Sequence, residues 1–186
     1  RQDIRISEPN IISYQKKNHT VDSALIGKHY LSNIAGAIAL CTLYKLSISE
    51  ILEAISKFSG VKRRLEYIGT YKEVKFYDDY GHHPTEIKAT ISALKKNTLG
   101  KLFVIFQPHR FTRTRDNFEQ LQESLEDADF AVVTDVYSAG EEPIPGISSK
   151  NFKGKNIKYI KSLRSVPIYI KENIKSGDNV LTLGAG

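Results

Sequence analysis

Read for its apolar positions, the chain changes rhythm near residue 60. Before that point Leu31, Ile34, Ala35, Ile38 and Ala39 recur at the three-and-four spacing of a helix face. A break at Lys45-Leu46 follows, and Ser47-x-x-Glu50 reads as a capping box opening a second helix with Ile51, Leu52, Ile55 and Phe58. Gly60 then stops it. Upstream, residues 1 to 26 hold short β-like runs, IRIS, NIISY and VDSALI, between polar breaks.

After Gly60 the pattern alternates between strand and helix. RLEYIGTY and EVKFYDD predict two strands around Lys72, as in a hairpin. Pro84 sits where a first helical turn accepts it, ahead of Ile87, Ile91 and Leu94. KLFVIFQ is a continuous apolar run of the kind buried on both faces, and Asp116 is placed to cap a helix through Phe118, Leu121 and Leu125. FAVVTDV is the next strand, a Gly/Pro/Ser loop covers 137 to 149, and IKYI, a helix from about 165 to 175 and NVLTLGAG complete the order. Helices between apolar strands predict an α/β fold: a Rossmann-like, open, mostly parallel sheet with helices on both faces. A boundary is expected near 60 to 64, with residues 1–60 as the remnant of one domain and 61–186 as a second.

Composition narrows the classes. No apolar run approaches the roughly 20 residues that a membrane-crossing helix needs. The single cysteine, Cys41, has no partner for an internal disulfide, which fits a reducing cytoplasm. The start, RQDIRISEPN, is polar and lacks a methionine, so the chain is expected to begin inside a longer protein. A net charge of +6 favours anionic partners, yet the lysines are spread thinly and form no basic stripe with interleaved aromatics, which argues against a nucleic-acid or nucleotide-binding module.

Candidate chemistry collects where strands end, the edge at which open α/β sheets bind ligands. One strand ends at Asp78-Asp79-Tyr80-Gly81-His82-His83, another at Pro108-His109-Arg110-Phe111-Thr112-Arg113, a third at Tyr137-Ser138-Ala139-Gly140-Glu141. Three arginines and a histidine in QPHRFTRTR offer planar forks for a multiply charged anion or a carboxylate. His82 is placed to hydrogen-bond a phosphate or a reacting carboxylate, while His83 is expected to face the fold or cap the helix at Pro84. Strand alternation allows one of Asp78 and Asp79 to face a cleft, where a carboxylate can accept a ribose hydroxyl. Adjacent histidines without cysteines or an H-E-x-x-H spacing do not predict a zinc site. Lys62-Arg63-Arg64, at the boundary, is either a solvated junction or a clamp for a ligand between domains. His29 and Asn33 share a helix face one turn apart.

The phrases GVKRRLE, YDDYGHHPTEI, IFQPHRFTRT and DVYSAGEEPIPGI, in this order, resemble the carboxyl-terminal part of the Mur ligases of peptidoglycan synthesis. GKHYLSNIAGAIA is similar to the end of that family's central ATPase domain, with Tyr30 where an asparagine is usual. The resemblance implies a bacterial cytoplasmic, ADP-forming ligase that joins L-alanine to UDP-N-acetylmuramate through an acyl phosphate, using ATP and Mg2+. It places His29, Asn33, Arg64 and Asp79 at the nucleotide, with Asp79 on the ribose. Tyr80, His82, His109, Arg110 and Arg113 are placed at the alanine and the reacting carboxylate, with His82 a candidate for moving a proton. No G-x-x-x-x-G-K-[ST] phosphate loop occurs, so the magnesium ligands are expected outside this chain. The chain is thus expected to be an inactive fragment, truncated at its end, whose residues 1–60 expose an apolar face able to self-associate. The related ligase that recycles murein tripeptide is the nearest alternative; Gly81, Glu86 and the Arg110/Arg113 pair favour the L-alanine branch.

Overall fold

The computed structural model describes residues 5–7, 10–23 and 25–185, and the chain separates into two compact units, Arg1–Val61 and Lys62–Gly186. The first unit opens with an antiparallel sheet of β1 (Arg5–Ser7), β2 (Ile11–Tyr14) and β3 (Lys17–Thr20). Gln15 and Lys16 both take positive φ, 49° and 62°, the conformation that a two-residue hairpin turn demands. The expected IRIS run begins at Ile4, outside the described residues, as does Ala24 of VDSALI. The described residues of VDSALI form no strand, and the polar KNHT pairs in its place because the tight turn folds it back on β2.

The helix pair follows as α1 (Lys28–Leu43) and α2 (Ile48–Ser56). The α1 end forms a Schellman motif: Leu46 N–H donates to Cys41 O and Lys45 N–H to Thr42 O, with Lys45 at φ 63° in the place usually taken by glycine. Ser47 and Glu50 form the capping box read from the sequence. Ile12, Val21, Ile34, Ile38 and Ile51 close a small core between this sheet and the two helices.

In the second unit, β4 (Glu66–Tyr71) and β5 (Val74–Asp79) form an antiparallel hairpin across Lys72 and Glu73, both at positive φ. Next come α3 (Pro84–Lys95), β6 (Leu102–Phe106), α4 (Phe111–Asp116), α5 (Phe118–Ser124), β7 (Phe130–Val133), β8 (Ile157–Tyr159), α6 (Val166–Asn173) and β9 (Asn179–Leu183). The six strands lie in the order β4-β5-β9-β6-β7-β8, parallel from β5 onward. The last strand therefore enters the middle, between the two strands that carry the main polar clusters.

Both faces are covered. Phe103 and Ile105 of β6 pack with Val166 and Ile170 of α6, so Leu102, Val104 and Phe106, all at 0% exposure, turn to the opposite face, where α3 meets β6 and packs on α5. Ile87, Ile91 and Leu94 of α3 are likewise fully buried. Register then places Asp79, Leu183, Phe106 and Val133 in one row across four parallel strands. That row is the carboxyl edge from which the next residues emerge. The helix expected through Phe118 and Leu121 is α5, with Asn117 and not Asp116 at its cap position, because Asp116 ends the unexpected α4, whose first turn is held by Glu141 across 29 residues of sequence.

Leu181, at 0% exposure in the inserted strand, should carry much of the packing. Leu181→Ala is expected to cost about 2–5 kcal/mol, read from the urea midpoint. A cost under about 1 kcal/mol would mean that β9 does not close the core.

Candidate functional site

At the end of β5 the backbone must leave the sheet without losing its hydrogen bonds, and Asp79 solves this. Its Oδ2 accepts from Leu65 N–H and its Oδ1 from Gly81 N–H, each at 2.7 Å, while its own carbonyl accepts from Gly184 N–H at 3.1 Å. The side chain is buried, and burial pushes its carboxyl up, against the pull of the two N–H groups and the Arg64 charge. A Cβ at position 81 would stand 2.7 Å from Asp79 Oδ1, so glycine is needed where the turn closes on the carboxylate. Asp79, placed at a ribose by resemblance, is thus first of all a fastener of three chain segments. Asp78 is the more open neighbour, and Thr182 donates to its Oδ1 at 2.5 Å.

The arginine that organises this end is Arg63, which the sequence did not single out from its neighbours. Its Nε donates to Asp78 Oδ2 at 3.0 Å and its Nη2 to Gly184 O at 2.6 Å, tying β5 to β9. Its guanidinium carbon lies 5.0 Å from the centre of the Tyr80 ring, and its carbonyl accepts from Tyr80 N–H at 2.7 Å. Arg63 and Leu65 both hold positive φ, 57° and 45°, a strained path that presents three consecutive residues to different partners. Arg64, half exposed, stands 3.7 Å from Glu86.

Glu86 gathers the start of α3. It accepts from the N–H groups of His82 and His83, each at 3.4 Å, and lies near Arg64 and His82. Burial acts to raise its carboxyl, and these donors and charges together hold it below the usual range. His83 is exposed and caps α3 through Nδ1, which accepts from Thr85 N–H, so capping is the role the structure gives it.

From Tyr80 a row of rings crosses the carboxyl edge. The Tyr80 ring meets His82 edge-on at 5.4 Å, His82 lies 6.0 Å from His109, and His109 stacks on Tyr137 at 5.6 Å with 27° between planes. Arg113 donates from Nη1 to His109 Nδ1 at 3.1 Å. Burial first, then the charges of Arg113, His82 and Arg110, push the His109 imidazole down, so it is neutral at neutral pH. Tyr80, His82, His109 and Arg113 therefore come together, with Arg110 beside Glu141 at 3.9 Å. His29 and Asn33 stand on α1 of the first unit, His29 against the Tyr30 ring and Asn33 on an apolar groove of about 540 Å³.

The two outer loops are zipped. Arg110 N–H donates to Tyr137 O and Tyr137 N–H to Pro108 O, both at 2.8 Å. Glu141 accepts from Thr112 N–H at 3.0 Å and from Thr112 Oγ1 at 2.6 Å. Arg110 holds φ 70°, a strained position that aims the following helix turn at Glu141. The chemistry of the whole cluster is cationic and imidazole-rich, suited to carboxylates and phosphates. It does not fit magnesium, which takes oxygen ligands, and among the described residues no three His, Cys, Asp or Glu side chains assemble to hold a metal.

Glu141 gives a pH test. The Thr112 hydroxyl and N–H hold its carboxyl below the ordinary 4.5, so its latch is complete above that value and is lost as the pH falls through the lower folded value. The Thr112 amide resonance is expected to move as the pH falls below the ordinary carboxylate value of about 4.5, and to stay flat in Glu141→Gln. A flat wild-type profile would mean that the carboxylate does not hold the loop.

Known proteins give the family of this chain. Residues 63–186 match the family described as Mur ligase, glutamate ligase domain. The chain is 42% identical over 166 residues to the UDP-N-acetylmuramate--L-alanine ligase of Carboxydothermus hydrogenoformans, covering 86% of this chain and 36% of that protein. With the ligase of the same name from Caldicellulosiruptor bescii it shares 37% identity over 190 residues, covering 99% and 40%. Among solved structures it resembles the UDP-N-acetylmuramate-alanine ligase MurC of Thermotoga maritima, with a TM-score of 0.75 and 27% identity over 94% of this chain and 39% of that one. The chain thus spans about two fifths of the length of the relatives it matches. With a matched region that begins at Arg63 and takes in the sheet, its carboxyl edge and the ring row above it, the chain belongs to the Mur ligase family.

Proposed function

We propose that this chain is the alanine-holding part of an ATP-dependent ligase that joins L-alanine to the carboxylate of UDP-N-acetylmuramate, releasing ADP and phosphate. The observation that carries the reading is the row Tyr80, His82, His109 with Arg113 on His109. Alanine arrives as a zwitterion, so a site for it needs cationic donors for the carboxylate and a group that frees the amine. Arg113 and Arg110 are those donors, with Tyr80 and His109 beside them, and His82 is the group next to the amine. The co-substrate is ATP, which converts the sugar carboxylate to an acyl phosphate. Fixed donors then meet the oxyanion that develops as the amine attacks.

On this reading Arg64 and Asp79 lie on the nucleotide side, Arg64 toward base or phosphate and Asp79 toward ribose through the second lone pair of each oxygen. Residues 1–60 correspond to the end of the central ATPase domain, where His29 and Asn33 face the nucleotide, and 61–186 to the amino-acid-binding domain. The phosphate loop and the magnesium ligands belong to a preceding part of a longer, cytoplasmic protein, so these 186 residues alone turn nothing over. The exposed Leu40, Leu43, Tyr44 and Leu46 of the first unit then favour self-association of the isolated chain.

The test is ADP release by the full-length ligase with ATP and UDP-N-acetylmuramate. Turnover should require L-alanine, and Arg113→Ala should lower kcat/KM by about a hundredfold, the scale for removing a charged partner of a bound carboxylate, with the melting curve unchanged. Turnover that ignores L-alanine and accepts murein tripeptide would move the protein to the recycling ligases.

A further inference from the structure

The two imidazoles at the centre of the row are fixed in opposite tautomers by partners that leave no choice. Nδ1 of His82 lies 3.0 Å from Tyr80 O. A carbonyl oxygen has no proton to give, so His82 Nδ1 must carry one and donate it. In neutral His82 the lone pair is then on Nε2. Nδ1 of His109 lies 3.1 Å from Arg113 Nη1. A guanidinium nitrogen has no lone pair to offer, so His109 Nδ1 must accept, and its proton is on Nε2. Two rings of the same residue type, 6.0 Å apart, thereby present a base and a donor.

We propose that His82 and His109 form a complementary pair in the amide-forming step: Nε2 of His82 takes the proton that the alanine ammonium must lose, and Nε2–H of His109 donates to an anionic oxygen of the substrates. The inference rests on the ligase reading above and deepens it. In the step, an N–H bond of the ammonium breaks and the proton joins His82 Nε2. The freed pair forms the C–N bond to the acyl phosphate carbon. As the tetrahedral species collapses, the carbon–oxygen bond to the phosphate breaks with its electrons on the departing phosphate, which takes the second proton that the nitrogen loses in becoming the amide.

The surroundings support both assignments. The imidazolium that forms at His82 is faced by the Glu86 carboxylate, 4.0 Å from Nδ1, and by the Tyr80 carbonyl, an arrangement that steadies the charge and keeps the ring oriented. His109 is faced by Arg113, Arg110 and His82, with Glu141 opposing them and the Tyr137 ring stacked alongside. Burial first, then the charges of Arg113 and Arg110, keep His109 neutral, so that it remains a donor and does not compete for the proton. Glu86, through His82, and Arg113, through His109, are thus also positioning residues for the two rings.

The first test needs no turnover. In the 186-residue chain labelled with ¹⁵N-histidine, long-range proton–nitrogen spectra at neutral pH distinguish the two tautomers ring by ring. His82 is expected with its proton on Nδ1 and His109 with its proton on Nε2. The same tautomer in both rings would overturn the pairing. The second test uses pH–rate profiles of the full-length ligase. An amide in His82→Gln cannot take the proton, so kcat should fall by about 10²–10⁴-fold and recover in part at alkaline pH, where alanine is already an amine. His109→Gln, whose amide N–H replaces the Nε2–H, should retain far more activity than His109→Leu. Alanine-dependent turnover in which His82→Gln loses no kcat, or loses it without alkaline recovery, would sink the pair while leaving the ligase reading intact. Wild-type enzyme that ignores alanine would sink the ligase reading itself.

Discussion

A carboxylate buried at the end of β5 carries much of what this domain does. Asp79 receives two backbone N–H groups and, through its carbonyl, a third, from segments at 65, 81 and 184 that lie far apart in sequence. A charged group in such a place is costly to desolvate, and it is tolerated because each oxygen is met by a donor at 2.7 Å. The consequence is geometric. Tyr80 must leave the sheet upward toward Arg63, Gly81 must turn tightly, and His82 must begin the row of rings. Removing the carboxylate would release the N–H groups of Leu65 and Gly81 at once, so its role in folding and its place at a ligand cannot be separated by simple truncation.

Around that fastener the site is built from restraints more than from reactive groups. Arg63 clamps the ends of two neighbouring strands and lies against Tyr80; Glu86 holds the start of α3; Glu141 holds the start of α4. Each restraint places a cation or an imaginable ligand partner of an anion at a strand end without leaving it to rotamer freedom. Such preorganisation suits a reaction whose difficulty is to bring a carboxylate, a phosphate and an amine together without mutual repulsion.

Much of this was legible in the sequence because it is local. Ser47 with Glu50, Pro84 behind His83, the apolar periods of α3 and the strand at 102–106 all announce themselves within a few residues. The clustering of Tyr80, His82, His109 and Arg113 followed from the rule that strand ends share an edge. What could not be read is what depends on pairing over distance. Nothing in NVLTL says that it enters between β5 and β6, which is decided by closure of the sheet. The short α4 was not anticipated because its first turn is held by Glu141, 29 residues away, and Arg63 was passed over because its partner Gly184 is 121 residues away. The tautomers of His82 and His109 likewise belong to three-dimensional partners alone.

On the proposed ligase reading, Tyr80, His82, His109 and Arg113 hold the amino acid at the edge where β5, β6 and β7 end. Chemical-shift mapping of the labelled chain with L-alanine, and in parallel with ethylamine, which lacks the carboxylate, tests it directly. Saturable shifts are expected at Tyr80, His82, His109 and Arg113 with L-alanine and none there with ethylamine. Shifts elsewhere in the chain, or equal shifts with both amines, would contradict it.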